Sequence, residues 1–366
     1  MNKKLKNYIM AVAFICIIYG LMFINLLIPD ADVSYAERRR LRQIPTYSMD
    51  SLIRGDYFSA YEKYFLDQFA FRDEFRRLNT FIRLKLFNQK DNNDNYVIEG
   101  NISKIEYPLN EKAIVNAANK INEVYEKYLQ GSNVNYTIIP DKNYYLATEH
   151  GYLAMDYEKL IKLMNDNIKD IKYIDIFPLL ELEDYYKTDI HWKQERLEDV
   201  ADFLLLNMGN DISPKVEYSI KALYPFYGSY YGQAAMRLEA DTLVYLTNEI
   251  IDKVRVYDHI DKTYSNVYME DKFATIDSYD LFLSGAKSII TLDNPMASTN
   301  KELIIFRDSF GSSIAPLMIK NYAKITLIDL RYLSTDLLGN YMDFSKEQDV
   351  LFLYNTIILN NSYMLK

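Results

Sequence analysis

Apolar positions fall along this chain in three rhythms. Residues 9–28 carry no charge, their apolar character interrupted only at Gly20 and Asn25, and the run is about the length an α-helix needs to cross a hydrocarbon core. Past it, Phe58, Tyr61 and Phe65, then Phe75, Leu78 and Ile82, recur at helical spacing, which predicts amphipathic helices whose aromatic stripe is a packing face. After the polar stretch 91–95, helical periodicity and short apolar runs alternate. Helices are predicted over 113–129, 157–168, 194–208 and 312–321, and strands over 135–139, 172–177, 303–306, 325–330 and 350–354. Alternation of this kind predicts an α/β domain, a parallel sheet with helices on its faces. Residues 215–290 depart from it, with aromatic and β-branched runs at 242–246 and 254–257 between turn residues, and read as a β-rich insertion.

The predicted organisation is a basic tail over 1–8, a span over 9–28, a membrane-proximal helical segment over 29–95 and the α/β domain over 96–366. Lys3, Lys4 and Lys6 precede the span, so the pattern is a signal anchor with a cytoplasmic N-terminus and everything after Pro29 outside the cell membrane. Arg38, Arg39, Arg40 and Arg42 oppose that orientation, although long downstream domains cross largely regardless of charge. Ser34 and Ala36 offer a cleavage alternative, but the apolar run is long for a signal-peptide core of ~7–15 residues.

Composition narrows the picture. With 51 acidic against 42 basic residues, the chain has no footprint for a nucleic-acid backbone, and no nucleic-acid partner is expected. Its one cysteine, Cys16, lies inside the span, so the exported part depends on its core rather than on disulfides. His150, His191 and His259 have no closely spaced His or Cys partners, and no metal is expected. No Gly-rich phosphate loop is present, and no cofactor is expected.

Two short segments carry the chemistry. Thr188-Asp189-Ile190-His191-Trp192 sets a carboxylate and an imidazole one residue apart, and Phe306-Arg307-Asp308-Ser309-Phe310-Gly311 sets a hydroxyl at a predicted strand-to-helix turn. Serine is a useful nucleophile only when a base takes its proton and an acid holds that base in the right tautomer. Taken singly, a serine before a helix is more often an N-cap, and an Asp-x-His pair is usually an exposed loop pair. Taken together they supply an orienter, Asp189, a general base, His191, and a nucleophile, Ser309, with a helix N-terminus beside it. Trp192, the only tryptophan, either walls the site, stacks on a sugar ring as a substrate-binding residue, or fills the core. Arg331 and Tyr332 follow the next strand and are either substrate-binding rim residues or ordinary surface.

With these segments in view, the chain resembles the bacterial DHHW proteins, which are similar to the alginate O-acetyltransferase group with its SGNH-hydrolase-like fold. The resemblance covers nearly the whole chain. It is carried by Glu37-Arg38-Arg39-Arg40-Leu41 with Pro45, Asp67-Gln68-Phe69-Ala70-Phe71-Arg72-Asp73, Ile139-Pro140-Asp141-Lys142, Tyr227-Gly228-Ser229 and both chemical segments. It implies an SGNH-like catalytic domain with Asp189, His191 and Ser309 as a triad in permuted order. It also implies an exported polysaccharide as acceptor and a multi-span membrane-bound O-acyltransferase as acetyl donor. Two positions depart from the pattern. Ile190 stands where the family name implies histidine, which removes no triad member. Arg307 stands where the ordinary SGNH motif begins with glycine, leaving the N–H groups of Ser309 and Gly228 as oxyanion candidates. The same three residues would serve a carbohydrate esterase, and a non-catalytic polysaccharide-binding subunit would keep them as a relic.

Overall fold

The computed structural model describes residues 3–211, 216–345 and 348–366. The first two residues of the expected basic tail, and residue 215 at the start of the expected insertion, lie outside them. Two compact units divide the chain: Met1–Asn92 with Gly232–Arg237, and Asn93–Tyr231 with Leu238–Lys366.

In the first unit, helix α1 (Lys3–Leu27) has no buried residue. It rises about 38 Å at ~1.5 Å per residue and is long and apolar enough to cross a membrane. Helices α2 (Asp56–Asp67) and α3 (Arg72–Phe81) follow, and charge fixes them. Arg39 forks onto Asp67 through two bonds of 2.7 and 2.6 Å, while Arg72 and Arg76 both reach Glu37. The guanidinium of Arg39 holds the Asp67 carboxyl down to about 2. The Glu-Arg and Asp-Gln-Phe segments singled out in the sequence are therefore the two sides of one ionic clasp. Gly232 completes it, since a Cβ there would lie 1.5 Å from the carbonyl oxygen of Ala36. The aromatic stripe differs from expectation. Phe58, Tyr61, Phe65, Phe75 and Leu78 are exposed, Phe58 to 64%. Periodicity decides which face of a helix is apolar and leaves open what covers it.

The second unit is built on an eight-stranded sheet. Its strands in chain order are β1 (Asn133–Ile139), β2 (Lys172–Tyr173), β5 (Arg255–Asp258), β6 (Thr263–Ser265), β7 (Ile289–Asp293), β8 (Glu302–Arg307), β9 (Lys324–Ile328) and β10 (Asp349–Asn355), with β3 (Ser219–Phe226) and β4 (Asp241–Thr247) forming a separate hairpin. The spatial order is β6-β5-β7-β9-β8-β10-β1-β2. Strands β9, β8, β10, β1 and β2 run parallel, while β7, β5 and β6 are added antiparallel. Alternate residues of β8 show why its run is apolar throughout. Leu303 and Ile305 pack against α6 (Glu198–Asn207) and α7 (Gly311–Met318), whereas Ile304 and Phe306 pack against α4 (Glu111–Val124) and α5 (Tyr157–Asn167). A parallel strand covered on both faces has no polar side.

Two expectations are corrected. The strand expected over 172–177 stops at Tyr173, and a 3-10 turn containing Pro178 occupies Phe177–Leu179. The segment over 215–290 is not one inserted β unit, because β5 and β6 extend the main sheet and only β3 and β4 pair apart from it. Local composition identifies strands but carries no information on which edge they join.

Candidate active site

At the carboxyl end of β8 the chain turns through Asp308 and Ser309 into α7. Asp308 shapes that turn. Its Oδ1 accepts the Phe310 N–H at 2.9 Å and its Oδ2 accepts the Asn355 N–H at 2.7 Å, and burial pushes its carboxyl up. The N–H groups of Gly311 and Ser312 close back on the carbonyls of Asp308 and Ser309, whereas the Ser309 N–H donates to no group among the described residues. Gly311 is dictated by Arg307, whose Cβ would lie 2.7 Å from a Cβ at residue 311. The Arg307 side chain is fully buried, 3.9 Å from the carboxylate of Asp329.

The second segment is an irregular loop held from several sides. Asp241 accepts the N–H groups of Lys187 and Thr188 and the Thr188 hydroxyl, at 2.9, 2.8 and 2.6 Å. Ser229 donates both its N–H and its hydroxyl to Asp189 Oδ1, each at 2.7 Å. Lys142 reaches in from the start of the short helix Lys142–Leu146, where its Nζ donates to the carbonyls of Tyr186, Lys187 and Asp189 at 2.7, 3.0 and 3.3 Å.

So fixed, the loop meets the turn. His191 Nδ1 lies 2.8 Å from Asp189 Oδ2, and His191 Nε2 lies 2.7 Å from Ser309 Oγ. A carboxylate partner puts the ring proton on Nδ1 and leaves Nε2 to accept from the serine hydroxyl. Burial falls along the run, from Asp189 at 0% exposure through His191 at 6% to the half-buried Ser309. The three residues that sequence placed in one relay are thus hydrogen-bonded in series, with the hydroxyl end nearest solvent. The Tyr279 ring lies parallel to the imidazole, centroids 3.8 Å apart and planes within 5°, and its hydroxyl donates to Ser313 Oγ at 2.9 Å.

Three other candidates fare differently. The Gly228 N–H donates to Thr188 Oγ1 at 2.9 Å and is not open to an oxyanion. What residue 228 supplies is room, because a Cβ there would fall 2.1 Å from Asp189 Cβ. Trp192 is fully buried, its indole N–H donating to Ser313 Oγ at 2.8 Å and to the Phe310 carbonyl at 3.2 Å. It ties the two segments together and presents no face to a sugar. Arg331 is half-buried and forks onto Asp329 through Nε at 2.9 Å and Nη2 at 2.6 Å, so its guanidinium already has a carboxylate partner.

Sequence reasoning missed Lys142, Ser229 and Tyr279 as parts of this site. Lys142 and Ser229 stand in segments singled out for resemblance, yet no spacing rule connects them to Asp189. Burial pulls the Lys142 ammonium down to about 7, against the opposing pull of Asp241 and Asp189. Because that folded-state value lies below the unfolded one, the unfolded chain holds the proton more tightly from about pH 7 up to the ordinary lysine range, and stability from this group rises through that window. Lys142→Met should remove that rise in a pH series of urea unfolding curves. It should also cost about 1–3 kcal/mol near neutral pH, since the buried carbonyls of Tyr186 and Asp189 lose a donor while that of Lys187 keeps the Ile102 N–H.

No protein-family model and no curated protein matches the sequence. Among solved structures, a DHHW family protein from Eubacterium siraeum superposes with a TM-score of 0.61 at 20% identity, over 75% of this chain and 94% of that one. Bacillus cereus PatB1 superposes with a TM-score of 0.59 at 17% identity, over 73% of this chain and 97% of that one. PatB1 with a sulfonyl adduct gives 0.59 at 16% identity, over 72% and 95%. The resemblance read from the motifs is therefore matched in three dimensions, and this chain shares its fold with a DHHW family protein and with PatB1.

Proposed function

We propose that the chain is a membrane-anchored, extracytoplasmic O-acetyltransferase that moves an acetyl group through Ser309 onto an exported polysaccharide. The observation that carries this reading is the run Asp189–His191–Ser309, with 2.8 and 2.7 Å links, at the carboxyl end of a central parallel strand. PatB1, which shares the fold, has been solved with a sulfonyl adduct, a modification that an activated nucleophile acquires, and this favours covalent catalysis over a binding role.

In the reaction, Ser309 Oγ attacks the acetyl carbonyl as His191 Nε2 takes the hydroxyl proton. The oxyanion is met by the Ser309 N–H. Collapse expels the leaving group, which receives the proton from His191, and leaves acetyl-Ser309. An acceptor hydroxyl then gives its proton to His191, attacks the acetyl-serine and departs as the sugar ester while Ser309 regains its proton. Asp189 stabilises the imidazolium at both stages. The donor is a membrane-bound O-acyltransferase that hands acetyl groups across the bilayer.

The test incubates the full chain with an activated acetyl ester, with and without an oligosaccharide, and measures the mass of the Ser309 peptide and of the sugar. Acetyl-Ser309 with acetylated sugar supports the proposal. Adduct with free acetate alone makes the chain an esterase, and no adduct and no product makes it a binding subunit. A second outcome concerns Tyr279, whose ring lies parallel to the imidazole and would attract the positive charge that develops there in the transition state by about 0.5–2 kcal/mol. Tyr279→Leu should slow acylation about tenfold, and Tyr279→Phe, which keeps the ring and loses only the bond to Ser313, should stay near the parent rate. Stopped-flow release of the ester's leaving group separates the two.

A further inference from the structure

The exposed aromatic stripe of α2 and α3 has a definite place in the first unit, set by the end of the apolar helix. Asn25 Oδ1, in the last turn of α1, accepts the Ala70 N–H at 2.8 Å. Gln68 brackets Ala31, accepting its N–H and donating to its carbonyl, both at 2.9 Å, and the Tyr64 hydroxyl donates to the Asp30 carboxylate at 2.9 Å. The α2–α3 junction is therefore bonded to residues 25–31, within about two turns of where the apolar run stops. From that junction the rings extend in contact, Tyr47–Tyr57–Tyr61–Tyr64 along one stretch and Phe65–Phe69–Phe75 along the other. Phe58, Tyr61, Phe65, Leu66, Phe75, Leu78 and Phe81 are nonetheless exposed.

Two further observations bear on what covers them. On α2 the rings of Tyr57, Phe58, Tyr61, Tyr64 and Phe65 share one arc, Asp56, Lys63 and Asp67 occupy the opposite one, and Glu62 and Leu66 lie on the boundary between them. Residues 29–92 carry twelve Lys and Arg against ten Asp and Glu, a reversal of the chain's overall acidic balance, and Arg40, Arg42, Arg83 and Lys85 are exposed among them. Exposed apolar area rich in aromatic rings, at the depth where a spanning helix leaves the hydrocarbon and flanked by basic side chains, has the composition of an interfacial membrane surface. A contiguous patch of this kind facing water is costly, and soluble monomers seldom retain one.

We infer that the aromatic face of α2 and α3 lies on the lipid bilayer, its rings in the headgroup region of the leaflet from which α1 emerges. The inference rests on α1 being a retained membrane anchor, as proposed above. It gives the anchor a second contact, so that the segment after the span lies along the surface as a plate instead of hanging as a tether.

The test uses environment-sensitive fluorescence on the full chain in phosphatidylcholine–phosphatidylglycerol vesicles carrying spin-labelled lipid. The single native cysteine, Cys16, carries the dye in one sample and reports on the anchor alone. In a Cys16→Ser background, Phe58→Cys, Phe65→Cys and Lys63→Cys carry it in three others. All three sites are exposed, so folding does not depend on them, and circular dichroism checks this. The expected result is blue-shifted emission with loss of intensity to the spin label at residues 16, 58 and 65, and water-like emission at residue 63. Quenching at residue 16 with water-like emission at residues 58 and 65 overturns the surface while the anchor stands. Water-like emission at residue 16 as well overturns both readings. A blue shift at residues 58 and 65 without quenching by lipid assigns the face to protein, a second copy or a membrane partner, and overturns the lipid assignment.

Discussion

Ser309→Ala and His191→Ala are each expected to lower acyl turnover by about a million-fold, and the double variant to be no slower than either single one. In the proposed reaction Ser309 and His191 act as one proton-transfer unit across their 2.7 Å contact. Without the hydroxyl there is no atom to carry the acetyl group, and without Nε2 the hydroxyl keeps its proton at the moment of attack. Neither change threatens the fold. The turn around Ser309 is shaped by Asp308 and by main-chain bonds, and His191 is stacked on Tyr279 without carrying the loop, which Asp241, Ser229 and Lys142 hold. Thermal unfolding close to the parent with no acetyl adduct by mass is the expected pair of readings. Turnover retained in either variant would sink the assignment of the relay.

How much of this site was legible follows from what each signal physically encodes. The strand over 303–306 was legible because a strand covered on both faces must be apolar throughout, and the polar turn that ends it marked Ser309. Asp189 and His191 were legible as a pair because their separation by one residue limits how far apart their side chains can fall. What holds them was not. Ser229 lies 40 residues downstream of Asp189, and its bonds depend on the close backbone approach that Gly228 permits. Tyr279 is one of 34 tyrosines, and nothing local separates a ring that stacks on an imidazole from one that fills the core. The helix-period stripe was legible as amphipathic, but its exposure was not, since periodicity marks the apolar face and is silent on whether other elements of the chain cover it. Trp192 followed the opposite course. A rare residue beside the base left wall, sugar contact and core filling open, and its indole N–H is bonded to Ser313 and Phe310 inside the core.

Asp189→Asn is expected to lower turnover by about 10⁴-fold with the fold intact, and the surroundings of the carboxylate say why the loss is not recovered by rotation of the amide. Oδ1 of Asp189 accepts two bonds from Ser229, one of them from a backbone N–H that has no way to become an acceptor. An asparagine must therefore turn its oxygen to Ser229 and its NH₂ to His191. That amide donates to Nδ1, so Nδ1 gives up its proton and the ring carries it on Nε2, 2.7 Å from Ser309 Oγ. The tautomer then faces the hydroxyl with a donor where an acceptor is needed. Ser229→Ala should behave differently, because it removes one of the two bonds and keeps the backbone donor and the carboxylate, and its loss should be no more than about tenfold, the worth of about 1 kcal/mol of hydrogen bonding. Nitrogen-15 shifts of His191 read the two cases directly. The parent and Ser229→Ala should show the proton on Nδ1, and Asp189→Asn should show it on Nε2. An Asp189→Asn variant that keeps the Nδ1 proton and still turns over at the parent rate would leave the carboxylate with no part in the reaction.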